Sequence, residues 1–257
     1  HSLQTEEFTY SSPDLPAGFD GCVIVQISDL HGAEFGENNE KLIEKVRSEH
    51  PEYIFLPGDL QDRYRQTPRS YSVAFGGAMA EIAPTYFVTG NHEWAFSDIR
   101  SLKQELGEAG VTVLTNEFVR LERGGSQILL AGIDDPNGFA DQKTPEALAE
   151  EIHEAAEDND FWILMAHRNN YFEKEYSLLG ADLVISGHGH GGLIRLPFTD
   201  GLVSVERTFF PSYTAGFYTA HDRDVFVSRG LGNSGRTFRL FNRPQLVVLT
   251  LEREETS

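Results

Sequence analysis

Asp29, His31, Asp59, Asn91, His92, His167, His188 and His190 are the residues of this 257-residue chain whose types and positions allow them to do chemistry together. Each follows a short apolar, β-prone run. Cys22 to Ser28 leads to Asp29 and His31, Tyr53 to Gly58 to Asp59, and Thr85 to Gly90 to Asn91 and His92. Phe161 to Ala166 leads to His167, and Asp182 to Gly187 to His188 and His190. Carboxylate, amide and imidazole donors without a thiolate suit divalent cations of the manganese, iron or zinc kind, and there are enough of them for two adjacent ions.

Taken singly, the signals differ in weight. Asp29-x-His31 is common by chance, and what raises it is its place at the exit of Val23-Ile24-Val25-Gln26-Ile27, where side chains two apart leave a strand on one face. Gly58-Asp59 and Gly90-Asn91-His92 repeat the pattern, with glycine permitting a sharp turn. Gly187-His188-Gly189-His190-Gly191-Gly192 is the most specific piece, since two imidazoles separated by glycine can reach different ions. The remaining histidines have plainer readings: His1 is terminal, His50 precedes Pro51, His153 is mid-helix and His221 falls in a polar loop.

Bringing such distant residues together needs strands whose carboxyl ends share one edge, as in an open α/β sheet. Between the strands the pattern turns helical. Asn39 to Glu49 puts Leu42, Ile43 and Val46 on one face, Tyr71 to Ile82 and Ser97 to Ala109 repeat the character, and Thr144-Pro145 starts a helix running to about Glu157. Val111 to Leu114, Phe118 to Leu121 and Gln127 to Ile133 read as closely spaced strands, with Arg123-Gly124-Gly125 as a turn. The expected architecture is α/β: a four-layer α/β sandwich of two mixed sheets flanked by helices, with the metal pair at strand ends along one edge. Residues 1–20 read as an N-terminal extension with one short strand at Glu7 to Tyr10, and residues 21–257 as a single domain. After His190 helical periodicity stops, and strands are expected at Val225 to Ser228 and Leu246 to Leu251.

Composition narrows the function. Hydrophobic residues at 40% and charged residues at 24% describe an ordinary folded chain, and no apolar run approaches the roughly 18 residues that span a bilayer. Lys plus Arg total 21 against 40 acids, a formal charge of -19, which makes nucleic acid an unfavoured partner and disfavours a nuclease. Two divalent cations reverse the local potential, so an acidic body still accepts a phosphorylated small molecule. The lone Cys22, in a core-like strand, rules out both an intramolecular disulfide and a thiolate zinc site. The chain begins with His1 rather than Met, so a targeting or anchoring segment upstream, giving membrane association, is an expectation, and localisation stays open.

The ordered set Asp29-x-His31, Gly58-Asp59-x-x-Asp62, Gly90-Asn91-His92-Glu93, His167 and Gly187-His188-x-His190 resembles the calcineurin-like metallophosphoesterases in order and approximate spacing, over residues 20 to 250 or so. The tail segments Ile194-Arg195-Leu196-Pro197, Phe209-Phe210-Pro211 to Gly216, Ser228 to Asn233 and Asn242-Arg243-Pro244 are similar to a bacterial, often membrane-associated branch. That branch includes enzymes cleaving the pyrophosphate of UDP-diacylglucosamine. Gly189, Leu193 and Asn169 depart from its usual pattern, which bears on substrate choice and removes no ligand.

The resemblance implies one metal held by Asp29, His31, Asp59 and His190 and a second by Asp59, Asn91, His167 and His188, with Asp59 bridging. It implies hydrolysis of a phosphodiester or pyrophosphate by a hydroxide between ions about 3.5 to 4 Å apart. His92 follows a ligand and is assigned to the leaving oxygen, with a structural histidine as the alternative. Asp62 orients a ligand from behind or is a plain surface carboxylate. Arg195 and Arg229, among the tail arginines Arg195, Arg229, Arg236, Arg239 and Arg243, are candidates for a second phosphate, against solvated or acid-paired charges. Phe209, Phe210, Tyr213, Phe217 and Tyr218 form either a lip for a lipid-linked substrate or ordinary packing. A non-catalytic binding scaffold on the same fold is the competing class, and it would lack ligands, whereas every position is filled here.

Overall fold

A computed structural model describes residues 3–156, 160–196, 200–204, 207–235 and 237–254. Its strands in chain order are β1 (Gln4–Ser12), β2 (Cys22–Gln26), β3 (Tyr53–Leu56), β4 (Thr85–Phe87), β5 (Thr112–Val113), β6 (Glu117–Arg123), β7 (Ser126–Ile133), β8 (Trp162–Arg168), β9 (Leu183–Gly187), β10 (Gly216–Ala220), β11 (Arg223–Val227) and β12 (Gln245–Arg253). The helices are α1 (Glu40–Ser48), α2 (Arg69–Ala80), α3 (Ile99–Glu108) and α4 (Pro145–Ala155). They build two mixed six-stranded sheets, ordered β1-β12-β2-β3-β4-β5 and β10-β11-β9-β8-β7-β6. β2, β3, β4 and β5 run parallel in the first, and β7, β8, β9 and β11 in the second.

The central strands are apolar throughout because both their faces are covered. Phe55, Ile163, Met165, Ile185 and Leu249 point between the sheets with Ile24 and Leu130. Their neighbours Ile54, Leu56 and Val248 face outward onto Leu42 and Val46 of α1, Phe75 and Met79 of α2 and Leu102 and Leu106 of α3. On the opposite side Leu129, Trp162, Leu164 and Val184 pack on Leu148 and Ile152 of α4. The result is the expected four layers: three helices, sheet, sheet, helix. α4 is opened by Thr144, whose hydroxyl accepts from Ala147 N at 3.2 Å with Pro145 in the first turn. Glu157, its expected end, lies outside the described residues.

Two elements differ from the sequence reading. The strand expected at Glu7 to Tyr10 is the nine-residue β1, parallel to β12 at the sheet edge, and Tyr10, Leu15 and Phe19 enter the inter-sheet core. β10, not anticipated, pairs with β11 across His221-Asp222, both left-handed with φ of 52° and 58°, as a tight two-residue hairpin turn requires.

Candidate metal centre

β2, β3 and β4 of one sheet and β8 and β9 of the other end along the same edge, and the candidate residues meet there. His31 Nε2 lies 3.1 Å from His190 Nε2 and 3.6 Å from Asp59 Oδ2, and His190 Nε2 lies 3.5 Å from Asp29 Oδ1. On the other side of Asp59, His167 Nε2 is 3.2 Å from its Oδ2 and 3.2 Å from His188 Nδ1. Two donor groups result, Asp29-His31-His190 and Asp59-His167-His188, all buried. Asn91 adds an amide oxygen that is buried and, among the described residues, has no hydrogen-bond partner. A buried acceptor left unpaired is costly, and a cation satisfies it.

Local backbone geometry is unusual at these positions. Asp29, His31, Asp59, His188 and His190 all adopt left-handed φ values, between 48° and 64°. Non-glycine residues rarely do so, and each costs on the order of 1 kcal/mol or more, held in place by surrounding structure. His167, inside β8, is aimed by a break in the β8–β9 register between Met165 and Arg168. Gly58, at φ +92°, makes the turn that delivers Asp59.

The two sheets are stitched together at the site itself. The Asp29 carboxylate accepts the His188 backbone N–H, at 3.1 Å to each oxygen, and the Ser28 hydroxyl. Gly187 is where that contact forms: a Cβ there would come within 1.8 Å of Ser28 Oγ and 2.5 Å of Asp29 Oδ2. Gly187→Ala is therefore expected to displace Asp29 and weaken cation binding roughly 10- to 100-fold while leaving the fold intact. Calorimetric metal titration beside a thermal melt checks this, and unchanged affinity would refute it.

Burial alone would suppress charge on Asp59 and His167. Their contact outweighs it, holding the Asp59 carboxyl well below the usual carboxylate range, helped by His31 and His92, and lifting His167 to about 10. Without metal they form an ion pair, with His167 Nδ1 donating to Pro57 O at 2.8 Å and Nε2 protonated toward Asp59. A cation must displace that Nε2 proton. Since His167 keeps it below its raised pKa, metal affinity is expected to climb with pH, roughly tenfold per unit near neutrality for one proton displaced. Calorimetry in buffers of different ionisation enthalpy reads the released proton, and pH-independent affinity would mean His167 holds none. By contrast burial keeps His31 neutral, and burial with the Arg239 guanidinium keeps His190 neutral. Arg239 Nη2 lies 2.9 Å from His190 Nδ1, so Nε2, 3.1 Å from His31 Nε2, is the ring nitrogen that faces the other donors.

His92 faces the cleft beside this cage. Its Nδ1 accepts the Arg63 N–H at 3.1 Å, which places the proton of the neutral ring on Nε2, 3.2 Å from Ser234 Oγ. Burial pushes its pKa down to about 4. His31, Asp59 and His92 also form a third potential donor group, so the geometry alone leaves both jobs open to His92. Asp62 is fully buried and thus not a surface carboxylate. It accepts from Tyr64 N and Gly235 N at 2.8 and 2.6 Å and lies 3.6 Å from His92 Nδ1, bracing the loops around His92 rather than a donor of the cage.

Three residues have roles that sequence reasoning does not assign, although Glu93 stands in the Gly90-Asn91-His92-Glu93 motif and Arg239 among the tail arginines. Glu93, buried, accepts backbone N–H groups from Asp59, Gln61 and Gly90 at 2.9, 3.0 and 2.8 Å and so fixes two ligand loops. Burial, then Asp59, raises its pKa to about 7. Arg168 lines the cleft with its plane fixed by a bidentate pair to Asp135 at 2.7 and 3.1 Å. Arg239 is buried against Gly230 O, Gly232 O and Asn233.

The cleft, about 280 Å³, is lined by Asp59, Asn91, His92, His188 and His190 and, beyond them, Arg63, Tyr64, Asn137, Arg168 and Ser234. Arg195 and Arg229 are elsewhere: they line a neighbouring cleft with Glu6, Glu7 and Gln245, where Arg229 pairs with Glu6 at 3.0 Å. Arg236 lies outside the described residues. The five aromatics expected as a lip divide: Tyr213 and Tyr218 pack against the α4-side core, Phe217 stacks with Tyr10 beside Phe8 and Phe226, and only Phe209 and Phe210 project freely.

Comparison with known proteins fits this geometry. Residues 22–192 match the calcineurin-like phosphoesterase family, and the chain belongs to that family as a metal-dependent phosphoesterase. It is similar to two uncharacterized metallophosphoesterases of Bacillus subtilis: YkoQ, 28% identical over 87% of this chain and 81% of the relative, and YkuE, 29% identical over 98% and 86%. A Bos taurus transmembrane protein with metallophosphoesterase domain is 30% identical over 93% of this chain but only 54% of its own length. Among solved structures, the sulfate thiohydrolase SoxB of Thermus thermophilus superposes with a TM-score of 0.57 at 12% identity, over 93% of this chain and 57% of that one. A second Thermus thermophilus protein, TT1561, gives 0.53 at 16%, over 80% and 88%. These likenesses show the fold, and the chain spans little more than half of SoxB.

Proposed function

We propose that this phosphoesterase cleaves a phosphodiester or pyrophosphate bond with two divalent ions, manganese, iron or zinc. The carrying observation is that two donor groups meet at Asp59 while the Asn91 oxygen, buried beside them, has no hydrogen-bond partner among the described residues. Asp29, His31, Asp59 and His190 would hold one ion, and Asp59, Asn91, His167 and His188 the other. Such ions supply Lewis acidity and a water whose pKa falls to about 7. His92, neutral, offers its Nε2–H as a hydrogen bond to the departing oxygen, its tautomer set by Arg63 N–H. Arg168, held flat by Asp135, and Arg63 at the rim receive the non-bridging phosphate oxygens. They are better placed for this than Arg195 and Arg229, whose cleft is shared with Glu6 and Glu7.

The polar cleft and its arginines favour a phosphorylated small molecule or a lipid-linked phosphate over nucleic acid, which the -19 charge repels. Purified protein with Mn²⁺ is expected to hydrolyse bis-p-nitrophenyl phosphate faster than p-nitrophenyl phosphate, to stop on chelation and to recover on adding metal back. Faster monoester cleavage would overturn the diester reading, and inactivity toward both with manganese, iron and zinc would overturn the hydrolytic one.

A further inference from the structure

One end of the cleft carries an aromatic ring that packs into none of the hydrophobic clusters. Tyr64 lines the cleft and is 62% exposed, yet it is firmly held. Its backbone N–H donates to Asp62 Oδ1 at 2.8 Å, and Arg63 Nη2 donates to its hydroxyl at 2.6 Å, with the guanidinium 4.7 Å from the ring centroid. Gly235 of the tail lies against the ring: its φ is +54°, and a Cβ there would come within 2.9 Å of Tyr64 Cδ2. A side chain at that position would push the ring away. An aromatic ring has few torsions to freeze, so one that is held and left open to a cleft is an efficient anchor for a ligand.

The ring stands next to the place of the departing oxygen. Its centroid is 5.7 Å from that of His92, edge to face, and His92 Nε2 is 3.2 Å from the hydroxyl of Ser234, the residue before Gly235. Imidazole, ring and hydroxyl therefore border one space. Both loops that carry them are tied together, since Gly235 N donates to Asp62 Oδ2 at 2.6 Å and Arg65 Nη2 to Gly235 O at 3.3 Å. Asn137 and Arg168, which follow β7 and end β8 in the other sheet, line the cleft without touching this group.

The chemistry of that space is selective. Ser234 and His92 alone would serve any oxygen that accepts or donates a hydrogen bond. An open ring beside them adds a preference for a flat face, which it meets offset or edge-on. The closeness of Tyr64 to His92 asks that the ligand's ring be joined to the departing oxygen directly or through a short link, because a ring on a long chain would pass Tyr64 into solvent.

We infer that Tyr64 is a specificity-determining residue that favours phosphoesters whose leaving group bears a flat ring. Which side of the phosphorus the ring occupies rests on the function proposed above. The subsite itself needs only the cleft and its ions.

Calorimetry on manganese-loaded protein tests the subsite with phenylphosphonate and methylphosphonate, which share an anionic head and offer no ester to hydrolyse. The parent is expected to bind the phenyl ligand roughly tenfold more tightly. Tyr64→Phe should keep that preference, and Tyr64→Ala and Tyr64→Leu should lose it, the leucine being apolar but not flat. Steady-state kinetics then place the ring, using methyl phenyl phosphate against methyl hexafluoroisopropyl phosphate, whose departing alcohols are of similar acidity while only one carries a ring. The kcat/KM ratio of the two should fall roughly tenfold in Tyr64→Ala and return in Tyr64→Phe. Equal affinity of the parent for both phosphonates, or a preference that Tyr64→Ala or Tyr64→Leu retains, overturns the inference. A kinetic ratio that Tyr64→Ala leaves unchanged overturns it too, by placing the ring away from the leaving group. Protein that binds phenylphosphonate through Tyr64 but cleaves no ester defeats the proposed reaction and leaves the subsite, whereas protein that cleaves esters without preferring a ring does the reverse.

Discussion

Asp59→Asn is expected to lose both metal ions and roughly 10⁴-fold in kcat together, the several kcal/mol of Lewis-acid stabilisation that the ions supply. Asp59 belongs to the donor group around His167 and lies 3.6 Å from His31 in the other, so one residue serves both. The substitution keeps the shape, and Oδ1 can still accept the His92 N–H at 2.8 Å, so the loop has reason to stay in place. What disappears is the negative charge that holds His167 protonated in the empty site and that would neutralise two cations in the full one. Elemental analysis of dialysed protein, beside bis-p-nitrophenyl phosphate turnover, measures both effects. A variant that keeps two ions or parental turnover would remove Asp59 from the centre of the site.

His92→Ala is expected to keep both ions and lose about 10²- to 10⁴-fold in kcat on substrates with poor leaving groups. The loss should shrink for p-nitrophenolate, which departs with little need of stabilisation, and that gradient separates a hydrogen-bond donor to the leaving oxygen from a structural ring. The direction follows from geometry: Arg63 N–H occupies Nδ1, leaving Nε2–H toward the cleft and Ser234. His92 also sits with its ring centroid 4.5 Å from that of His31, close enough to join a donor group. If the alanine variant instead loses an ion, or falls equally on good and poor leaving groups, His92 is a ligand or a prop and not the donor to the leaving oxygen.

Much of the site was legible because ligand chemistry is local in sequence. A carboxylate or imidazole after an all-apolar run marks a strand exit, and five such exits imply one edge; Asp29, His31, Asp59, His167, His188 and His190 meet there. The four layers were legible for a related reason, since strands apolar on both faces must be covered on both faces. What was hidden depends on contacts between segments remote in sequence. Glu93 looks like any acid beside a histidine until its three backbone donors, two from the Asp59–Gln61 loop and one from Gly90, are seen. Arg195 and Arg229 were the arginines offered for a phosphate, but β1 brings Glu6 to Arg229 and draws it into another cleft, while Arg168 lines the metal cleft. β10 was hidden because its turn uses His221 and Asp222 in left-handed backbone instead of a glycine pair.

The five cage residues with positive φ imply a conflict between endurance and catalysis. Glycine at Asp29, His31, Asp59, His188 or His190 would relieve the backbone at the cost of the donor atom, and at Asp29 and Asp59 it would also discharge a carboxylate from a crowded interior. Selecting metal-starved chains for heat resistance should therefore enrich dead proteins that outlast their parent, mutated at the very positions turnover requires.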